Sequence, residues 1–231
     1  MTKLIVANRN IAKPGAPRII RTPGVGGYDA RFIASHLDLT DGSIISSWKA
    51  TAGANPFTIA NVGGTPAVSI GTENGIRHLN TLGGSASGGR LLGPHTTQRP
   101  FTIAAVVKAP PNTSPMIGFT GTYLSRNSSG YYQGTSSTAA YTPVLRDGWI
   151  FVMMAHSADA NSSFIARADD AEVVGTPGST PSPSFGGLYF GSTAAGGAHQ
   201  LREMILWPTQ LNLSDRNKVH NYMRSRYPEL V

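Results

Sequence analysis

The sequence predicts an all-β fold: an antiparallel two-sheet sandwich with an extended N-terminal arm and one short C-terminal helix. Three observations predict it. The 231 residues include 27 Gly and 16 Pro but only 13% charged residues, a balance that suits strands joined by turns better than packed helices. Apolar runs of strand length, about ten to twelve of them, recur between turn-forming residues, as in a sandwich. Only one stretch, near the C-terminus, repeats apolar residues at helical spacing. A chain of this length fits one such domain, and a hydrophobic fraction of 40% suffices for its core.

Residues 1–27 read as the arm. They hold Lys3, Arg9, Lys13, Arg18 and Arg21 and no acid, which is five of the net seven positive charges. Of the 19 Lys and Arg, 14 remain against all 12 acids, so the body is nearly neutral. Pro14, Pro17, Pro23 and four glycines argue against a packed element. The Leu4-Ile5-Val6 and Ile19-Ile20 clusters suit docking on a partner better than a solvated tail. The five cations are therefore the candidate anchoring residues. The opening nine residues lack an apolar core and cleavage site, so no secretory signal is expected. No apolar run reaches transmembrane length, so no membrane partner is expected. The arm has no aromatic residue before Tyr28, so it lacks the interleaved rings of a nucleic-acid site.

The body follows in order. Tyr28–Ser35 reads as a strand, Asp41-Gly42-Ser43 as a turn and Ile44–Trp48 as a second strand. Residues 49–66 read as loop, and Ala67–Ile70 as a strand before the Glu73-Asn74-Gly75 turn. Residues 83–100 are a long Gly/Ser stretch. Phe101–Lys108 is the most apolar strand and should be central, buried on both faces; Pro110-Pro111 ends it. Met116–Tyr123 and Gly130–Tyr141 are weaker, Ser/Thr/Tyr-rich strands. Trp149–His156 is a strong strand. Ser162–Arg167 and Ala171–Val174 flank Ala168-Asp169-Asp170 as a hairpin. Residues 175–184 read as loop and Gly187–Gly191 as a strand. In Leu201–Trp207, alternation puts Leu201, Glu203, Ile205 and Trp207 on one face and Arg202, Met204 and Leu206 on the other. Pro208 stops that strand because it cannot donate to a ladder. Ser214 then reads as a helix N-cap, with Asp215 in the first turn where the dipole favours an anion. Val219, Tyr222 and Met223 recur at helical spacing, Arg224 and Arg226 suit the C-terminal end, and Pro228 blocks continuation.

Four stretches in this order resemble the laminin-G-like, concanavalin A-like lectin/glucanase jelly roll. They are Ala30–Trp48 (ARFIASHLDLTDGSIISSW), Phe101–Lys108 (FTIAAVVK), the Trp149–Arg167 strand and hairpin, and Leu188–Tyr227 with its LYFGS and LREMILW runs. The resemblance covers most of residues 28–231. It implies a jelly-roll domain of two sheets packed face to face and closed by the last strand and helix, so that Trp207, Val219, Tyr222 and Met223 pack and take no part in chemistry. Members include carbohydrate-binding modules, glycosidases, adhesion domains and virion proteins, so the fold does not fix function. After Trp48, relatives often continue with an Asp and a Ser-Gly-Asn-Gly loop; here Lys49–Asn55 contains no acid.

Chemistry is sparse in the sequence. There is no cysteine, which removes disulfides, thiol catalysis and thiolate metal sites. His36, His78, His95, His156, His199 and His220 show no metal-ligand spacing. No nucleophile elbow or phosphate loop appears. The acidic triplet of jelly-roll glucanases is missing, and Asp169, Asp170 and Glu172 read as turn residues more readily than as a calcium site. Glu203, inside an apolar strand, reads as a structural carboxylate without the second carboxylate that a glycosidase needs. No catalytic residue, metal or cofactor is expected. Tyr123, Tyr131, Tyr132 and Tyr141, set among Ser, Thr, Asn and Gly, are the candidate ligand or interface residues, with ordinary strand packing as the alternative.

The resulting expectation is a non-enzymatic bacteriophage virion protein: a capsid decoration, collar or tail fibre/spike component. Its arm would dock on capsid or tail proteins. It would assemble in the host cytoplasm, which removes the conflict between a sugar-binding type of fold and a missing export signal. A homo-oligomer is expected, a trimer first. The alternative is a carbohydrate-binding adhesion or receptor-binding module for a host surface glycan. A polysaccharide-degrading enzyme comes third.

Overall fold

The computed structural model describes residues 23–61, 68–81, 90–93, 97–111, 113–120, 122–136, 138–159, 164–176, 184–191 and 199–230. With strands numbered along the chain, the first sheet runs in the order β15 (Ala171–Gly175), β14 (Phe164–Ala168), β13 (Ile150–His156), β8 (Phe101–Lys108), β17 (Gln200–Trp207), β5 (Ile76–Thr81) and β4 (Val68–Glu73). β1 (Ala30–Ile33) also pairs with β17. The second sheet runs β12 (Thr138–Leu145), β11 (Tyr131–Ser136), β10 (Thr122–Arg126), β9 (Thr113–Thr120), β16 (Ser184–Gly191), β6 (Arg90–Leu92), β3 (Thr58–Asn61) and β2 (Ser47–Lys49), with β7 (Thr97–Gln98) also on β16. Every pairing among the described residues is antiparallel. The fold is an all-β sandwich of two antiparallel sheets with one C-terminal helix, α1 (Leu213–Arg226).

The first sheet is covered on both faces. Phe101, Ile103, Ala105 and Val107 of β8 and Ile150, Val152 and Met154 of β13 enter the core between the sheets. Ala104 and Val106, Phe151 and Met153, and Ile205 and Trp207 point the other way, onto Val219, Tyr222 and Met223 of α1. This double burial is why β8 and β13 read as unbroken apolar runs. In the second sheet β2 and β12 alternate buried with exposed positions and read weakly, whereas β10 and β16 are buried at nearly every described position.

Local departures from the sequence reading have physical causes. Ile44 makes only an isolated bridge to Ser69, and the second strand is Ser47–Lys49. β3 lies where loop was expected, and the short β6 and β7 lie in the Gly/Ser stretch of residues 83–100, because strands this short leave little periodicity to read. Ala34–His36 form a 3-10 turn that ends β1 early. A bulge between Leu201 and Glu203 turns Leu201 into the inter-sheet core. Arg202 and Glu203 then both face the helix side, as two residues opposing one do at a bulge. The helix N-cap is Asn212, not Ser214: its Oδ1 accepts from Asp215 N–H at 3.0 Å.

Under α1 lies a buried charge cluster. Glu203 is fully buried. It accepts from Arg31 Nε at 2.8 Å, Tyr227 OH at 2.8 Å and Tyr222 OH at 3.2 Å, and pairs with the Arg226 guanidinium at 2.9 Å. Arg31 Nη2 also donates to the Tyr222 hydroxyl. Burial, with the Glu203 charge second, pushes both tyrosine hydroxyls up, which keeps them protonated donors. Arg202 stacks on Trp149 at 3.8 Å and pairs with Glu229.

Removing one partner of a buried pair strands the others. Glu203→Gln should therefore cost about 3–5 kcal/mol in equilibrium urea unfolding. Lys218→Gln, which breaks the exposed Lys218–Asp215 pair, should cost less than about 1 kcal/mol.

His156 lies in the inter-sheet core between the rings of Phe101 and Phe164, at 4.8 and 5.2 Å, and shares a 2.9 Å hydrogen bond with Thr122. Burial, then the charge of Arg99, pushes its pKa down from 6.5 to about 3. The unfolded chain protonates this ring near pH 6.5 and the folded chain only near pH 3, so acid favours unfolding. Stability should fall between these values, by up to about 1.4 kcal/mol per pH unit from this ring. Thermal unfolding across pH 7 to 3 should show the decline, and His156→Gln should flatten it.

Candidate functional site

The open face of the second sheet is the place where side chains with recognition chemistry gather. No helix covers it among the described residues, and Ser47, Lys49, Thr58, Ala60, Ala139 and Pro143 stand exposed on it or along its edge strand.

Strand alternation decides what this face presents. Leu124 of β10 and Leu188 and Phe190 of β16 enter the core, so Tyr123 and Tyr189 between or beside them point outward. On β11, Gly134 lies inward, where an added Cβ would meet Ala166 Cβ at 2.8 Å. Tyr132 also lies inward, 1% exposed, with Arg126 over its ring at 5.3 Å. Tyr131 and Gln133 therefore point outward. Tyr141 of β12 pairs with Gln133 and shares its face. Tyr131 and Tyr141 are 38% and 54% exposed, Tyr123 is half-buried and Tyr189 is buried.

Two rows cross this face. Tyr189, Gly118 and Tyr123 are in register across β16, β9 and β10. Gly118 sits at φ +152°, and a Cβ there would come within 2.5 Å of Thr122 O. The two tyrosines therefore stand about 10 Å apart along the sheet with no side chain between them. Two residues further on, Ser125, Gln133 and Tyr141 are in register, and Gln133 Nε2 donates to Ser125 Oγ at 2.9 Å. Arg90 of β6 lies over the Tyr189 ring at 5.8 Å. Burial, then the neighbouring Tyr123, pushes the Tyr189 hydroxyl up, so it stays neutral. Flat apolar rings with hydroxyl and amide groups beside them can stack on one face of a sugar and hydrogen-bond its rim.

Of the candidate tyrosines, Tyr123, Tyr131 and Tyr141 come together on this face. Tyr132 is turned into the core, and burial pushes its hydroxyl up to about 12. Lys3, Arg9, Lys13, Arg18 and Arg21 lie outside the described residues. Tyr189, Gln133 and Arg90 escape the sequence reading. The Leu188-Tyr189-Phe190 alternation could have placed Tyr189, whereas Arg90 sat in the long Gly/Ser stretch of residues 83–100, where no strand was read.

The other clusters are structural. Glu172 receives Arg216 bidentately at 2.6 and 2.9 Å, Asp169 receives Arg146 at 3.0 Å, and Arg167 donates to Asn217 at 2.7 Å. The acidic hairpin thus clasps α1. Among the described residues no group of three or more His, Asp or Glu could hold a metal ion. A cleft of about 580 Å3 beside residues 24–28 is lined by Gly24, Gly26, Gly27 and Gly53 with Val25, Tyr28 and Ala54, and offers one polar side chain.

No family model matches the chain, and no curated protein does. Solved structures do share its fold. A Trypanosoma rangeli sialidase is 14% identical with a TM-score of 0.58 over 94% of this chain and 35% of that chain. The receptor binding domain of botulinum neurotoxin mosaic serotype C/D is 11% identical with a TM-score of 0.59 over 84% of this chain and 50% of that one. The botulinum neurotoxin serotype D ligand binding domain in complex with N-acetylneuraminic acid is 10% identical, TM-score 0.58, over the same shares. The chain thus spans half or less of these relatives. At such identities the likeness establishes the β-sandwich fold alone. It also corrects the expectation of a non-enzymatic protein: sialidases are enzymes and share this fold, so the architecture gives no ground for setting catalysis aside.

The alternation makes a stability test. Tyr131→Ala and Tyr141→Ala should shift unfolding by no more than about 0.5 kcal/mol, as exposed substitutions do. Tyr132→Ala should cost about 3 kcal/mol or more by opening a core cavity. Urea unfolding of the three variants checks the assignment.

Proposed function

We propose that this chain is a carbohydrate-binding module that recognises a host surface glycan on the open face of the second sheet. One observation carries the reading: three tyrosines with a hydrogen-bonded Gln–Ser pair share the face that no helix covers, while the other sheet's outer face is closed by α1. Solved relatives support a sugar as ligand: the botulinum neurotoxin serotype D ligand binding domain is in complex with N-acetylneuraminic acid, and cell entry of botulinum neurotoxin type C depends on interaction with two ganglioside molecules. The setting we propose is a bacteriophage particle, the module being a homo-oligomer, a trimer first, attached by its basic arm to capsid or tail proteins. The arm's composition supports that setting, with five cations and no acid ahead of a near-neutral body.

A glycan array followed by calorimetry tests the binding. A defined glycan should bind, and Tyr123→Ala or Tyr141→Ala should weaken it by about fivefold or more, the effect of truncating an aromatic anchor. Tyr28→Ala, on the helix side, should leave the affinity unchanged. Silence across a broad array would overturn the reading.

A further inference from the structure

Charge is divided between the two sheets. All 12 acidic residues of the chain lie off the second sheet: its nine strands contain no Asp or Glu. On the first-sheet side the acids meet cations, as in Glu73 with Lys108, Glu172 with Arg216, and Glu203 with Arg31. The outer face of the second sheet holds cations only. Trp48 and Leu91 enter the core, so their neighbours Lys49 and Arg90 point outward.

Arg90 differs from the other arginine of this sheet. Arg126, on the same sheet, points inward and binds Asp147 at 2.8 Å. Among the described residues Arg90 has no carboxylate within salt-bridge distance. Its Nε is shielded from water and makes no hydrogen bond, while the guanidinium lies against the Tyr189 ring. A guanidinium without a carboxylate partner favours an ionised acceptor over a neutral one. The ring beneath limits how the guanidinium can turn, and its planar fork suits two oxygens of one anionic group.

We propose that Arg90 reads an anionic substituent, a carboxylate or a sulfate ester, on the glycan bound at this face. This rests on the carbohydrate-binding reading above and adds the class of sugar. Lys49, on the edge strand β2 two strands from β6, extends the positive field, and no acid on these strands opposes an approaching anion.

The test is calorimetry on the full chain with length-matched oligosaccharides in three sets: neutral, carboxylate-bearing and sulfated. At least one anionic set should bind about tenfold or more tightly than the neutral set, as expected for a charge-assisted hydrogen bond. That preference should shrink as salt rises. Arg90→Gln should bring the anionic set down to the neutral level with no change in the neutral affinity, and Arg90→Lys should keep part of the preference. The carboxylate and sulfate sets separate the two sources of charge. Equal binding of neutral and anionic sets, or an Arg90→Gln variant that keeps the preference, overturns this inference and leaves the carbohydrate reading standing. Binding of no set overturns both. If Arg90→Gln fails to fold, the wild-type preference and its salt dependence decide the matter alone.

Discussion

The buried carboxylate of Glu203 ties together the parts of this fold that lie furthest apart in sequence. Arg31 on β1, Arg226 and Tyr222 on α1, and Tyr227 just beyond it converge on one side chain. A buried carboxylate is tolerated only when its acceptor sites are filled. Here two guanidiniums and two hydroxyls fill them, so the helix has one seat on the sheet. A well-packed apolar group could match the energy, but it would not dictate which cations and which hydroxyls must meet.

Seating α1 there makes the two sheets unequal. The first sheet becomes an inner layer with apolar side chains on both faces. Asp170 and Glu172 of the hairpin hold the helix through Arg224 and Arg216. The second sheet keeps one face free of helix, with tyrosines, an amide, hydroxyls and unopposed cations. The functional reading follows from this division of labour: one side is covered by the closing helix, and the opposite side has groups left for a ligand.

Much of this was legible in the sequence where the signal is local. FTIAAVVK reads as doubly buried and is so. The Ala168-Asp169-Asp170 hairpin forms with Asp169 at φ +46°, and the last helix falls where Val219, Tyr222 and Met223 set its period. Glu203 reads as a structural carboxylate, though nothing local named its partners. The candidate tyrosines read as one group because they share a composition. The sheet splits them, because Tyr131 and Tyr132 are neighbours in sequence and opposites in direction.

The sequence by itself determined the class of fold, its closing helix and the turn chemistry, because periodicity and turn propensity act over a few residues. Tertiary structure alone decided which tyrosines face outward, which way Leu201 turns at its bulge, and that Arg90 meets Tyr189 on one face. It also brought Arg31 to Glu203 across 172 positions. The physical reason is register. Side chains alternate with a period of two, so a one-residue change in pairing exchanges core for surface along a strand, and pairing is settled by residues distant in the chain.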